Sequence, residues 1–232
     1  MLEKLKESVF KANLDLVKHG LVIHTWGNVS GKDPDTGFIV IKPSGVGYES
    51  MKAEDMVVLD CDGNVIEGKL KPSTDAPTHL LLYQSFSSIG GVVHTHSEFA
   101  SSWAQAGRSI PPFGTTHADH FYGAVPCTRL LTDKEISEDY EINTGRVIVE
   151  TMGDADPLTL PSVLVNSHGP FCWGTDAANA VYNAVALEAI AKMAFNTVLL
   201  GRTEAVAGAL LDKHFNRKHG TGAYYGQTKK IK

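Results

Sequence analysis

The sequence predicts an α/β fold in a single domain spanning residues 1–232, with short helices and several antiparallel strand pairs. In some segments the apolar residues recur with helical spacing, whereas in others they form short continuous runs typical of buried strands. The chain has 232 residues, of which 43% are hydrophobic and 20% are charged, enough to bury a substantial core. No internal repeat or low-complexity linker divides it.

The first third of the chain is predicted to be a helix followed by antiparallel strands. Apolar residues at helical spacing over 2–16 indicate an amphipathic helix, and Gly20 is its stop signal. Residues 38–41 and 56–59 are short runs rich in β-forming residues. The turn sequence C-D-G-N at 61–64 predicts that the second run continues into a hairpin.

The remaining helices are predicted from capping and stop signals. The polar residues 72–75 precede a helix over 78–86, where hydroxyl and carboxylate side chains can cap the free N–H groups. A short helix is expected over 99–106. An alanine-rich helix follows over 176–200, and a last helix over 204–217 leads into a tail rich in glycine and lysine.

Two predicted strands end in histidines. Residues 91–96 form an apolar run that carries His94 and His96, and alternate residues of a strand point to the same side. Residues 163–166 form a second such run, which is followed by His168. Imidazoles that converge in this way can hold a divalent ion between them.

Each of these residues also has a structural interpretation. A pair of histidines on a strand is often simply hydrogen-bonded or exposed, and His168 fits an ordinary loop histidine equally well. Asp75 could supply a carboxylate ligand, but taken alone it is better explained as a helix N-cap.

The charge, the cysteines and the apolar stretches of the chain indicate which ligands and which compartment to expect. The net charge of −5 and a pI near 6.0 argue against nucleic-acid binding, although a few local cations could hold a phosphorylated metabolite. The three cysteines are widely spaced and contain no C-x-x-C pair, which indicates a reducing compartment and no disulfide framework. Charged residues interrupt both the N-terminus and the most apolar later stretch, so we expect a soluble cytoplasmic protein without a membrane span.

Three glycine-bounded polar loops could bind a phosphate. They are W-G-N-V-S at 26–30, K-P-S-G-V-G at 42–47 and P-S-T at 72–74. Each offers hydroxyl, amide or backbone N–H donors, and Lys42 adds a positive charge. Taken singly, each loop is better explained as an ordinary turn. The chain contains neither G-x-x-x-x-G-K-[ST] nor G-x-G-x-x-G, so a nucleotide is not indicated.

Acid and phenol groups occur in two further segments. Residues 115–120 read T-T-H-A-D-H and residues 223–226 read A-Y-Y-G, both non-helical settings that suit proton transfer but also resemble surface turns.

Taken together, these motifs resemble the class II aldolase and epimerase family along nearly the whole chain. No single motif would suffice, but seven in the same order are highly specific. The motifs are T-W-G-N-V-S at 25–30, I-K-P-S-G-V at 41–46, P-S-T-D-A-P-T-H at 72–79, V-H-T-H-S at 93–97, G-T-T-H-A-D at 114–119, S-H-G-P-F at 167–171, and D-K-H-F-N-R-K-H-G at 212–220 followed by A-Y-Y-G-Q.

The resemblance implies a three-layer αβα fold around a mainly antiparallel sheet and one divalent metal ion per subunit, zinc or manganese. It assigns four residues to the ion, as ligands or a close partner: Asp75, His94, His96 and His168. It assigns a sugar phosphate to Gly27, Asn28, Lys42, Ser44, Gly45, Ser73 and Thr74, with His214 lining the site. It assigns acid–base catalysis to Asp119 and Tyr225, contributed by a neighbouring subunit of a cyclic homotetramer.

The activity that the resemblance implies is epimerisation at C4 of a pentulose phosphate, from L-ribulose 5-phosphate to D-xylulose 5-phosphate, by retroaldol cleavage, aldehyde rotation and re-addition. An aldolase of the same family is the nearest alternative, and Asp75 argues against it because those aldolases tend to carry a catalytic glutamate there. A metal-binding protein without turnover is the other alternative. Two departures from the family pattern are Thr74, in place of a serine, and His120, where a phenol is common.

Overall fold

A computed structural model describes residues 2–226; Met1 and residues 227–232, including Gln227 of the last motif, lie outside the described residues. Seven strands form one sheet in the order β4-β3-β2-β1-β5-β7-β6, and every neighbouring pair of these strands is antiparallel. The strands are β1 (Asn28–Lys32), β2 (Ile39–Ile41), β3 (Val57–Leu59), β4 (Val65–Glu67), β5 (Gly91–His94), β6 (Ser162–Val165) and β7 (Gly169–Gly174).

Helices and one 3-10 turn (Ala53–Asp55) connect these strands, and in the described part of the chain none of the helices is long and apolar enough to cross a bilayer. The helices are α1 (Glu3–Lys18), α2 (Ala76–Ser85), α3 (Glu98–Gln105), α4 (Thr115–Ala118), α5 (Asp133–Ser137), α6 (Tyr140–Met152), α7 (Ala177–Leu199) and α8 (Gly208–His219).

Alternation along the strands builds a core on each face of the sheet. Val40 and Val93 face α1, α3 and α7, whereas their neighbours Ile41 and Val92 face α2 and α6. Because successive side chains of a strand point to opposite faces, each inner strand contributes to both cores. The predicted three-layer αβα architecture around an antiparallel sheet is thereby confirmed. One domain over 1–232 stays a prediction.

The central strand β1 was not predicted from the sequence, because residues 26–30 have the composition of a polar loop. Its buried polar side chains have partners on other elements: the Ser30 hydroxyl lies 2.7 Å from His79 Nδ1 and 2.9 Å from the Tyr83 hydroxyl. Gly31 is required for packing, since a Cβ there would lie 2.9 Å from Val9 Cγ2 of α1. Neither property is visible from hydrophobic periodicity.

Other boundaries differ from the predictions. The strand expected over 91–96 ends at His94, residues 115–118 form a helical turn rather than a non-helical segment, and the last helix begins at Gly208 rather than at residue 204. Strand β7 and helix α6 were not predicted; β7 contains Pro170 and has a glycine at each end, both unusual in a strand. The opening helix, the hairpin and the long helix α7 agree with prediction.

Candidate active site

Three histidine side chains converge at one end of the central strands. His94 Nε2 and His96 Nε2 lie 3.0 Å apart. One ligand atom from each of His94, His96 and His168 lies within 4.8 Å of those of the other two, and within residues 2–226 they form the cluster suited to a metal ion. The predicted triad is therefore assembled.

Backbone geometry and hydrogen bonds set the orientation of these rings. His94 ends β5, and its Nδ1–H donates to the carbonyl oxygen of Pro170 at 3.0 Å, which leaves Nε2 facing the cluster. The ring also stacks on Phe171, with centroids 4.2 Å apart. His168 lies in the tight turn between β6 and β7, and its Nδ1 is 3.3 Å from the Tyr140 hydroxyl. Such hydrogen bonds at the second ring nitrogen are typical of histidine metal ligands.

The electrostatics keep the three imidazoles neutral. Burial lowers the pKa of His94 to about 3, and burial also lowers the pKa of His96 and of His168. A neutral imidazole keeps a lone pair on one of its two ring nitrogens, so the donor set fits a divalent ion of the zinc or manganese type.

Asp75 lies beside this cluster but is not one of the three converging residues. Its Oδ2 accepts a 2.6 Å hydrogen bond from Asn28 Nδ2, and its side chain makes no cap to α2, contrary to the N-cap interpretation. Burial alone would raise the pKa of Asp75, but the nearby His94 and His79 and the Asn28 amide outweigh it and lower that pKa. Asp75 is therefore a half-buried carboxylate next to the histidines.

The three polar loops that could bind a phosphate, residues 26–30, 42–47 and 72–74, come together next to the histidines. Asn28 is paired with His94 across the sheet, and its Nδ2 also donates to Ser73 Oγ at 3.1 Å. The other two loops pair with each other, because Ser44 N donates to Lys71 O at 2.9 Å and Ser73 N donates to Lys42 O at 3.0 Å. Ser44, Gly45 and Thr74 are exposed at the surface of this pair.

Lys42 is a buried cation in this region. It is 2% exposed, and its ammonium group lies 3.4 Å from the Pro43 carbonyl oxygen and 4.9 Å from the centre of the Tyr48 ring. No carboxylate of the described residues forms an ion pair with it. Burial lowers the pKa of Lys42. A buried ammonium without an anionic partner favours the binding of an anion, which would compensate its charge.

Gly27 needs to be glycine for two reasons. Its φ is +73°, which side-chain-bearing residues rarely adopt. A Cβ at this position would lie 2.8 Å from the carbonyl oxygen of His94 and 2.8 Å from Val22 Cγ1. Gly27 thus allows the first loop to approach the end of β5 closely.

Asp119 and His214 belong to a second group of side chains. Arg217 holds the Asp119 carboxylate through two hydrogen bonds of 3.0 and 2.6 Å, and His214 Nδ1 lies 3.1 Å from Asp119 Oδ1. Burial would raise the pKa of Asp119, but Arg217, His214 and Lys218 outweigh it and lower that pKa. Tyr225 joins this group, because the Arg217 and Lys218 cations lie 5.0 and 4.6 Å from its ring centre.

The two groups make no direct contact with each other within residues 2–226. No hydrogen bond, ion pair or ring contact of Asp119 or Tyr225 within residues 2–226 reaches the three histidines. His120, one of the two departures, contacts Tyr182, with ring centroids 5.5 Å apart.

Several residues that contact the predicted site residues were not themselves predicted from the sequence. Arg217 and Lys218 lie in the motif over 212–220, but only the fold brings their charges to Asp119, about one hundred residues away in the chain. Tyr140 had no signal, since it reaches His168 only through the tertiary fold.

Comparisons with known proteins agree with this geometry. The Class II Aldolase and Adducin N-terminal domain model matches residues 7–195. The chain is 56% identical over 229 residues to "L-ribulose-5-phosphate 4-epimerase UlaF" of Salmonella paratyphi B (strain ATCC BAA-1250 / SPB7), covering 97% of this chain and 100% of that protein. The protein of the same name from Salmonella choleraesuis (strain SC-B67) has the same identity and coverage.

Solved structures show the same fold. A structure of L-fuculose 1-phosphate aldolase superposes with a TM-score of 0.79 at 24% identity, covering 92% of this chain and 95% of the other. Because the family model spans most of the chain and the relatives match it almost end to end, the chain belongs to the class II aldolase and adducin N-terminal domain family.

Proposed function

We propose that this chain is a metal-dependent epimerase that inverts C4 of L-ribulose 5-phosphate to form D-xylulose 5-phosphate. The observation that carries the proposal is the convergence of three neutral histidines beside a loop pair containing the buried cation Lys42. The 56% identity to proteins named L-ribulose-5-phosphate 4-epimerase supports the choice of substrate. Metal and phosphate sites side by side suit a small phosphorylated sugar.

The chemistry explains why such a site is needed. The C4 hydrogen of the substrate is not acidic, so direct deprotonation is unfavourable. In a retroaldol reaction a base removes the C4 hydroxyl proton, C4 becomes an aldehyde carbon, and the C3–C4 electron pair moves into the enediolate of dihydroxyacetone. Rotation of the aldehyde and re-addition of the enediolate return the electron pair and give the other C4 configuration. A divalent ion held by His94, His96 and His168 would stabilise the negative charge as a Lewis acid.

The chain's own residues would hold the aldehyde fragment by its phosphate. Lys42 supplies the charge, while Ser44, Gly45, Ser73 and Thr74 supply neutral donors next to it. A phosphate anchored at one end leaves the aldehyde end free to rotate without leaving the site. Asn28 links this loop pair to Asp75 and to the end of β5.

Asp119 and Tyr225 would exchange the C4 hydroxyl proton on opposite faces. Their separation from the histidines of the same chain supports an active site shared between subunits, in a homotetramer whose neighbouring chain supplies both residues. His214, which contacts Asp119, would line the same site. Zinc and manganese both suit the donor set. The cytoplasm is the proposed compartment, because the three cysteines are free thiols.

The test supplies L-ribulose 5-phosphate to protein loaded with zinc or with manganese and identifies the products. D-xylulose 5-phosphate supports the proposal, whereas free dihydroxyacetone with glycolaldehyde phosphate identifies an aldolase. In deuterated water the retroaldol route leaves hydrogen at C4, so deuterium at C4 would exclude it. Protein that binds metal and converts no pentulose phosphate would be the binding protein considered above.

A further inference from the structure

Of the three tryptophans, Trp26 alone is exposed and lacks an indole hydrogen bond within residues 2–226. Trp103 is 5% exposed and donates its indole N–H to Ala191 O at 3.0 Å, and Trp173 is fully buried and donates to Pro157 O at 2.7 Å. Trp26 is 49% exposed, and its indole N–H makes no hydrogen bond within residues 2–226. An exposed indole offers a large, flat apolar face to a ligand, and its position next to the histidines gives that face significance.

Trp26 lies between the two parts of the proposed site. Its ring centroid is 6.2 Å from that of His96, on the metal side. Its carbonyl oxygen accepts a 2.9 Å hydrogen bond from the Tyr48 hydroxyl, and the Tyr48 ring faces Lys42 on the phosphate side. Residue 26 therefore borders the histidines through its ring and, through its backbone, the tyrosine that covers Lys42.

The backbone around Trp26 is fixed. The Tyr48 hydroxyl also lies 2.9 Å from the Gly27 carbonyl oxygen, and Gly27 is confined by the close approach to β5 described above. On the other side, His24 has a φ of +56°, and its ring contacts that of Trp26 edge-on with centroids 6.1 Å apart. The indole ring is thus carried by a constrained segment rather than by a free loop.

We propose that the Trp26 indole is a wall of the substrate pocket that retains the aldehyde fragment between cleavage and re-addition. This inference rests on the proposed function. After the C3–C4 bond breaks, the aldehyde end of glycolaldehyde phosphate has lost its covalent attachment, and the phosphate grip alone holds it. A flat aromatic face gives contact without directional hydrogen bonds, so it confines the fragment and still permits rotation.

The first test measures how the bound fragment partitions. Wild type, Trp26→Phe and Trp26→Ala, loaded with the same metal, are supplied with L-ribulose 5-phosphate, and free glycolaldehyde phosphate is measured per D-xylulose 5-phosphate formed. We expect Trp26→Ala to raise this ratio about tenfold or more, with Trp26→Phe in between. Ile136→Ala removes an exposed apolar side chain of α5 and serves as the matched control, with the wild-type ratio.

The second test needs no turnover. Since Trp26 is half-exposed and the other tryptophans are buried, glycolaldehyde phosphate added to wild-type protein without substrate should change the tryptophan emission, and Trp26→Phe should abolish that change. Circular dichroism and elemental analysis confirm folding and equal metal content. Should Trp26→Ala not fold, Trp26→Phe carries both measurements.

The outcomes separate the two proposals. An unchanged partition ratio in folded, metal-loaded variants overturns the role of Trp26, even if wild type is an efficient epimerase. An unchanged ratio together with a loss of oligomers in Trp26→Ala would identify the indole as a subunit contact and equally overturn the inference. Wild-type protein that forms no D-xylulose 5-phosphate contradicts the proposed function itself, whatever the fluorescence shows.

Discussion

Burial keeps several histidines of this chain neutral, but only some of them are placed to bind a metal ion. Burial lowers the pKa of His79 and of His117 to about 4, as it lowers that of His94 to about 3. His79 Nδ1 pairs with Ser30, and His117 Nε2–H donates to the Gly123 carbonyl oxygen at 2.7 Å. Only at His94 does the free nitrogen face two further imidazoles. The direction of the lone pair, rather than the protonation state, separates a ligand from a structural histidine.

Replacing His96 by alanine should remove the metal and spare the fold. His96 is the most exposed of the three ligands and belongs to neither core, so its loss costs little stability. Elemental analysis after dialysis should find about one ion per wild-type chain and a small fraction of that in His96→Ala. His19→Ala, an exposed histidine at the end of α1, should keep full occupancy. Full occupancy in His96→Ala would refute the ligand assignment.

His117 should make the protein less stable in acid. Burial lowers its pKa from 6.5 to about 4, and the adjacent His120 adds to this. The unfolded chain therefore binds more protons between pH 6.5 and 4, so this stability is complete above pH 6.5 and is lost as pH falls toward 4. At pH 5 the loss is about 2 kcal/mol.

Urea unfolding of wild type and His117→Gln at pH 7 and pH 5, at one protein concentration, checks this expectation. Glutamine keeps an N–H donor for the Gly123 carbonyl but does not titrate, so the variant should lose less stability on acidification. His19→Gln should behave as wild type. Equal pH dependence in His117→Gln and wild type would show that another group is responsible.

At the scale of elements, helix α7 positions the segment that carries His96. Glu188 of α7 accepts hydrogen bonds from Phe99 N at 2.7 Å and from Ala100 N at 2.9 Å, in the first turn of α3. The N-cap residue Ser97 makes no side-chain cap of its own. A carboxylate from a neighbouring helix thus replaces the usual local cap, directly after His96.

Glu188→Ala should therefore weaken both stability and metal binding. It leaves two helix N–H groups without an acceptor, which costs about 1–3 kcal/mol. Glu188→Gln keeps acceptor capacity on one oxygen and should lie between alanine and wild type. Glu98→Ala is the control, because it removes a carboxylate from the first turn of α3 without removing the hydrogen bonds to Glu188. Denaturant unfolding and competition for zinc with a chelator measure the two effects; zinc affinity unchanged in Glu188→Ala would limit Glu188 to stability.

For the whole molecule, the separation of the two groups determines how a complete site could form. The histidines and Lys42 lie by the sheet, whereas Asp119 and Tyr225 are gathered by α8. Tyr225 is 61% exposed, so its hydroxyl is available to another chain. In a cyclic oligomer each interface could join the first group of one chain to the second group of the next.

Mixing two inactive variants tests this arrangement. His96→Ala and Tyr225→Phe are dissociated, mixed in equal amounts and reassembled, while each variant alone is treated in the same way as a control. Random assembly should give roughly a quarter of the sites an intact histidine triad from one chain and an intact Tyr225 from another, so activity should reappear. Folded mixed oligomers that stay inactive would show that Tyr225 does not act across the interface.

The sequence alone determined those features that depend on neighbours along the chain. Helical periodicity located α1 and α7, turn chemistry located the β3–β4 hairpin, and the ordered motifs identified the family and the three histidines. The tertiary structure alone decided that Asn28–Lys32 is the central strand, that Lys42 is buried and that Arg217 holds Asp119. Strand pairing, burial and ion pairing join residues far apart in sequence, and such interactions depend on how the packed elements place them in space.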